Sequence, residues 1–391
     1  MLRAGGNSSN FDVALVLCTL VASAVGIIMV FSATKATHGG SMTLGDFTSR
    51  QAIYAVAGLV LMLVIARLNY RFLESFTLPF YFATLGLLGL VMVLGHVGGG
   101  SQRWLNLGLF PIQPSEIAKL ALIITLAKIF SDHEREMHRA RWFILAAVVT
   151  AIPAAIVLEQ PDLGTALMLV AIFLGMTLGA GVKARIFIGA GLIAVPALVG
   201  FWTWLMHDYQ RKRLLIFLDP LSDLRGEGYN IIQSRITIGS GGWLGQGYMA
   251  GSQSQGGFLK VQYSDFIYSV VAEEFGFIGA MALVALLFII VWRCLVIATR
   301  AKDAYGSLIA VGVATWIGMQ VFINVGMNIG LMPVTGIPLP FISYGGSSLM
   351  SILLGLGLVH SVALRSSSVI FGGNTWSPGW ARSGRTTLRP R

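Results

Sequence analysis

Apolar positions in this chain gather into ten long runs, at approximately 12–34, 51–67, 78–96, 115–131, 142–158, 162–180, 185–206, 266–299, 305–330 and 342–365. Most approach the roughly 20 residues that a helix needs to cross about 30 Å of hydrocarbon, where a helix also satisfies its own backbone hydrogen bonds. The pattern predicts an all-α polytopic membrane protein whose ten transmembrane helices form one domain, residues 1–365. The run at 266–299 is longer than a bilayer requires, so it either tilts or begins as an interfacial turn. Polar positions concentrate in one long loop between helices 7 and 8, residues 207–265, on the outer side. The connector between helices 9 and 10, Met332 to Ser348, has no charge but carries Pro333, Pro338 and Pro340 with Gly336, Gly345 and Gly346. It predicts a rigid, re-entrant-like segment that must be buried in protein or line a cavity.

Composition narrows the class. With 55% hydrophobic and 11% charged residues and a mean hydropathy of +0.76, the chain is not a soluble globule, where about 25% of residues are charged. Its net charge of +10 raises nucleic acid as a partner. However, 17 of the cations fall in segments on the side of the N-terminus, against Lys35, Arg50 and Arg103 in the short loops opposite. This asymmetry predicts both termini in the cytoplasm and assigns the charge to an anionic membrane face. Cys18 and Cys294 lie within apolar runs, which excludes an outward disulfide framework. The first run exceeds the apolar core of a cleaved signal, so an uncleaved first helix is expected. The tail, 366–391, is rich in Ser, Gly, Arg and Pro and predicts a disordered cytoplasmic segment.

Charges within or beside the spans are the next filter, because each costs roughly 2.5–3.5 kcal/mol at a helix centre. Glu116 and Lys119, three residues apart in the fourth span, read either as a structural ion pair or, through Lys119 together with Arg103, as a cationic receptor for an anionic head group. Asp162, in the tight connector Glu159 to Thr165, reads as a helix cap or, with Glu159, as a weak divalent-cation site. Arg211, Lys212 and Arg213 precede the apolar Leu214 to Leu218, a pattern suited to the lipid interface. The segment Gly239 to Gly247 matches neither the P-loop nor the dinucleotide fingerprint and reads as tight turns with close backbone approach. Asp265, Ser269 and Glu273 share one helical stripe. Asp265 is then either an N-cap or a general base poised at the water–lipid boundary.

Five motifs in order on this frame resemble one family. They are Arg103-Trp104-Leu105 with Gln113-Pro114-Ser115-Glu116-Ile117-Ala118-Lys119; Gln160-Pro161-Asp162-Leu163-Gly164-Thr165; Gln233-Ser234 with Ile238-Gly239-Ser240-Gly241-Gly242; Ser264-Asp265-Phe266-Ile267; and Pro338-Leu339-Pro340-Phe341-Ile342-Ser343-Tyr344-Gly345-Gly346-Ser347-Ser348. Together they are similar to the SEDS proteins (shape, elongation, division and sporulation) over nearly all of 10–365. Val334 to Phe341 resembles the elongation branch, RodA, more than the division branch, FtsW.

The resemblance implies a peptidoglycan glycosyltransferase that polymerises lipid II at the outer face of the bacterial cytoplasmic membrane, working with a class B penicillin-binding protein. It implies Asp265 as the general base on the acceptor GlcNAc 4-hydroxyl. Arg103 and Lys119 are the candidates for the pyrophosphate, with Arg211 or Arg213 next, and Glu116, Asp162, Gln233, Ser343 and Ser347 complete the substrate-binding set. No cofactor is firmly implied and no metal ligand set is assigned, although Mg or Mn remains an open reading. The family commonly carries His-Thr before this aspartate, preceded by Pro-Glu, where this chain has Tyr263-Ser264 preceded by Lys260-Val261-Gln262. Two further readings stand beside the enzyme: a lipid II flippase, and a non-catalytic cell-wall scaffold.

Overall fold

The computed structural model describes residues 11–38, 46–98, 101–106, 111–200, 206, 208–224 and 226–366. The expectation of a disordered tail lies outside these residues, apart from Ser366. Among the described residues, each of the ten apolar runs carries a helix: α1 (Val13–His38), α2 (Phe47–Arg67), α3 (Phe72–Leu94), α4 (Pro114–Asp132), α5 (Ala140–Glu159), α6 (Leu163–Gly179), α7 (Ala184–Gly200), and then α11 (Ile267–Arg300), α12 (Ala304–Asn328) and α13 (Gly346–Leu364). Among the described residues, seven of these (α1, α2, α3, α5, α11, α12 and α13) are long and apolar enough to cross a membrane. The others fall short for visible reasons. α6 and α7 have 17 residues each, and α4 carries Glu116, Lys119, Lys128 and Asp132.

The chain is mostly helical, as expected, and two details refine that picture. The long loop carries helices of its own, α8 (Asp208–Leu218), α9 (Glu227–Ser240) and the single turn α10 (Ser252–Gln255). One small sheet accompanies the helices. Strand β2 (Ser101–Asn106), which carries Arg103, pairs antiparallel with β1 (His96–Gly98) and β3 (Pro111–Ile112) ahead of α4.

Burial separates the helices into a heart and a rim. The apolar stretches of α12 and α13 are 67% and 78% buried, against 28–39% for the other five. α12 packs on α4, α6 and α11, and α13 packs on α2. The rim helices present Leu, Val and Phe outward, as helices that are apolar all round do when lipid is their solvent. Polar pins at both ends show the helices alternating in direction. At one end Arg71 pairs with Asp303 at 2.7 Å and Arg365 donates to the carbonyls of Ala66 and Arg67. At the other, the Gln51 amide donates to the Ser343 carbonyl at 3.2 Å and the Gln113 N–H to the Ser347 hydroxyl at 3.2 Å.

The over-long run at 266–299 is a kinked helix. Gly276 has φ 66° and ψ −168° inside α11, a region of backbone space that is essentially closed to other residues. The kink frees helical carbonyls and N–H groups, and each finds a partner in the glycine-rich segment. Gln246 and Gly247 N–H donate to the carbonyls of Glu273 and Glu274 at 2.9 and 3.0 Å, while Phe277 and Ile278 N–H donate to those of Gly242 and Trp243 at 2.8 and 3.2 Å. The contact is backbone on backbone. A Cβ on Gly276 would stand 2.4 Å from the Gly245 nitrogen and 2.5 Å from the Trp243 oxygen. Gly276→Ala is therefore expected to destabilise the protein by about 1–3 kcal/mol, since neither partner can move aside. Thermal unfolding in detergent checks this, and an unchanged midpoint would refute the interlocked kink.

Candidate functional site

The motifs that the chain spreads over more than 200 positions converge at one end of the bundle. Asp265 lies just before α11, whose N-cap is Phe266 and lacks a side-chain cap. The capping alternative for Asp265 is thus not what the fold uses. Its carboxylate accepts from the Ser264 hydroxyl at 2.9 Å, and Oδ2 faces Gly336 closely enough that a Cβ there would be 3.9 Å away.

The backbone around Asp265 is held with unusual thoroughness. Its carbonyl accepts from Asn324 and Asn328 side-chain amides at 3.1 and 3.0 Å. Asn324 also donates to the Ile337 carbonyl at 2.8 Å, and Gln320 donates to that of Pro338 at 2.8 Å. The Ser264 carbonyl accepts from the Ser343 hydroxyl at 2.6 Å, and Tyr344 N–H donates to the Tyr263 carbonyl at 2.9 Å. The proline-rich connector and the Asp265 loop are therefore laced together over α12. Sequence reasoning missed Gln320, Asn324 and Asn328. Their signal was present, as three amides at four-residue intervals in an apolar run share one helical stripe.

The charges nearby set the character of Asp265. It keeps a limited opening to solvent while protein encloses the carboxyl, and this burial raises its pKa. Glu227 raises it further, against the lowering effects of the Ser264 hydrogen bond, Arg213 and Arg103. Arg213 is paired with Glu227 at 3.3 Å. Arg103 donates to the carbonyls of Gln160, at 3.0 Å, and Pro161, and its guanidinium lies 3.9 Å from Asp162. Arg103 and Arg213, each already beside a carboxylate of its own, thus share a neighbourhood with Asp265.

Other expected site residues sit differently. Asp162 caps α6, accepting from Thr165 N–H at 3.1 Å and from its hydroxyl at 2.8 Å. Glu116 and Lys119 pair at 2.7 Å with side chains 4% and 2% exposed, and the ammonium lies 5.0 Å from the Trp316 ring centre. Lys119 is thus enclosed between α4 and α12 rather than offered to a head group at the surface. Ser343 and Ser347 spend their hydroxyls on backbone groups, and the side-chain carbonyl of Gln233 is buried. Glu273 is fully buried and accepts from the N–H groups of Gln253 and Ser254 at the start of α10, at 2.7 and 3.0 Å. Its place on the Asp265 stripe is structural. Among the described residues, no three His, Cys, Asp or Glu side chains gather to hold a metal ion.

Comparison with known proteins matches nearly the whole chain. A family model covering FtsW, RodA and SpoVE, described as cell cycle protein, matches residues 12–368. Peptidoglycan glycosyltransferase MrdB of Escherichia coli K12 is 39% identical over 336 residues, 86% of this chain and 90% of the relative. A probable peptidoglycan glycosyltransferase FtsW of Geobacter metallireducens is 37% identical over 364 residues, 91% and 95% of the two chains. A solved structure described as the structural coordination of polymerization and crosslinking by a peptidoglycan synthase complex superposes with a TM-score of 0.76 at 33% identity, over 90% of this chain and 97% of the other. The crystal structure of the rod shape determining protein RodA of Thermus thermophilus matches with a TM-score of 0.66 at 29% identity, over 91% and 98%.

Proposed function

This chain belongs to the FtsW, RodA and SpoVE family and is a peptidoglycan glycosyltransferase; from that premise we propose that Asp265 is its general base and that lipid II is both donor and acceptor. The observation that carries this assignment is Asp265 itself: a carboxylate freed from capping duty, on a backbone clamped by three side chains, with two arginines close by. In the reaction, the acceptor GlcNAc 4-hydroxyl attacks C1 of the donor MurNAc. Its proton passes to Asp265 as the new C–O bond forms, and the bond to undecaprenyl pyrophosphate breaks with its electrons on the departing phosphate oxygen. Arg103 and Arg213 oppose the growing negative charge. Asp162 and the carbonyls of Gln160 and Pro161 orient Arg103, and the Glu116–Lys119 pair holds α4 against α12 beneath the site.

Ten spans, with residues 1–365 as one domain and both termini cytoplasmic, fit the alternating helix ends and the cation asymmetry, and put Asp265 on the outer face. A class B penicillin-binding protein as partner is consistent with the peptidoglycan synthase complex whose fold this chain shares. Relatives of both branches match at nearly equal identity, so the elongation role rests on the resemblance of Val334 to Phe341 alone.

The test is polymerisation of labelled lipid II by the purified chain, alone and with its penicillin-binding protein, across pH. Glycan strands are expected. The rate should fall on the acid side at a pH above the ordinary carboxylate range of about 4, because a base with a raised pKa is already protonated, and idle, at a higher pH. Lipid II translocation without strands would transfer the assignment to a flippase.

A further inference from the structure

The glycine-rich turn, Gly241 to Gly247, that folds back like a hairpin onto the α11 kink presents large exposed apolar side chains. Trp243 is 72% and Leu244 80% exposed, and no residue from Ile236 to Leu259 is charged. A segment facing bulk water rarely combines these properties, whereas Trp is enriched where head groups meet hydrocarbon. Trp243 packs edge-on against Phe277 at 5.2 Å. Phe277 and Ile278 are themselves 53% and 56% exposed, so the apolar surface continues without a break onto the outward face of α11.

Helix length fixes the height of this patch. Phe277 to Arg300 forms the part of α11 after the kink, and its 24 residues extend about 36 Å at 1.5 Å each. A hydrocarbon core of about 30 Å consumes most of that length. Gly276, and the hairpin bound to it, then stand at the boundary of the leaflet nearest Asp265.

We propose that Trp243 and Leu244 form an interfacial anchor that inserts into the head-group and upper acyl region of that leaflet. The four backbone hydrogen bonds across the kink pass this hold to the first part of α11, the segment that begins next to Asp265. The anchor therefore sets the height of the Asp265 end over the bilayer. The occupant is lipid, because the patch is continuous with the membrane-facing side of α11 and the segment carries no charged side chain of its own; the nearby exposed Lys35, beside Met249, suits anionic head groups.

Depth measurement on the full-length protein in phosphatidylethanolamine–phosphatidylglycerol vesicles tests this without reference to catalysis. With Cys18→Ala and Cys294→Ala in place, a nitroxide on Leu244→Cys is compared with labels on Phe288→Cys, midway along α11, and on Lys260→Cys. The expected result is relaxation by dioxygen well above that by a water-soluble nickel chelate, between the two reference labels and about 5–10 Å below the phosphates. A label as accessible to nickel as that on Lys260→Cys would overturn the anchor, and so would one shielded from both reagents, which would indicate a protein-covered patch. Should the cysteine-free protein fail to fold, quenching of intrinsic fluorescence by brominated acyl chains in wild type and Trp243→Ser decides the matter. Loss of a quenchable component is expected, and equal quenching overturns the proposal.

Discussion

Asp265→Asn is expected to lower glycan-strand formation from lipid II by about 10²- to 10⁴-fold, the range general-base catalysis supplies, while the protein folds and unfolds as before. Asparagine keeps the shape of the side chain but cannot take the acceptor proton. The folded structure should tolerate it, because the clamps on this segment grip its backbone: Asn324 and Asn328 hold the Asp265 carbonyl and Ser343 holds that of Ser264. Among the described residues the carboxylate itself accepts one hydrogen bond, from Ser264, which an amide oxygen also accepts. Strand-length analysis beside a thermal unfolding curve measures both halves. Retained polymerisation would remove Asp265 as the base, and loss of folding together with activity would make it a structural residue.

Lys119→Ala is expected to destabilise the protein by about 3–5 kcal/mol, the cost of leaving one member of a buried ion pair without its partner. Glu116 has one carboxylate oxygen on Lys119 at 2.7 Å and the other buried without a hydrogen-bond partner among the described residues. Removing the ammonium strands the whole charge, and also deprives the Trp316 face of its cation. Replacing both residues with apolar ones of similar volume, Glu116→Leu with Lys119→Met, is expected to recover most of the loss, since two desolvated charges disappear together. Unfolding midpoints of the three variants decide the question. If Lys119→Ala proves as stable as wild type, the pair does not lock α4 to α12, and the head-group reading of Lys119 regains its standing.

The sequence alone determined the class of the molecule, its ten helical runs, the odd length of the run at 266–299, and the family with Asp265 as its candidate base. These were legible because hydropathy over a helix-length window and short motifs are local properties that the solvent or the substrate dictates directly. Only the tertiary structure decided what each polar residue does. Asp162 became a cap, Glu273 a support for α10, Lys119 an enclosed partner of Glu116, and Gln320, Asn324 and Asn328 the holders of the Asp265 loop. Asp265 and Ser343 lie 78 positions apart, as do many of the groups that meet here. A buried polar atom takes its role from the partner that satisfies it, and that partner is chosen by packing between helices distant in the chain. The kink at Gly276 shows the same division: the chain announces a helix too long for its membrane, but only the glycine hairpin meeting it in space supplies the hydrogen bonds that let the helix break there.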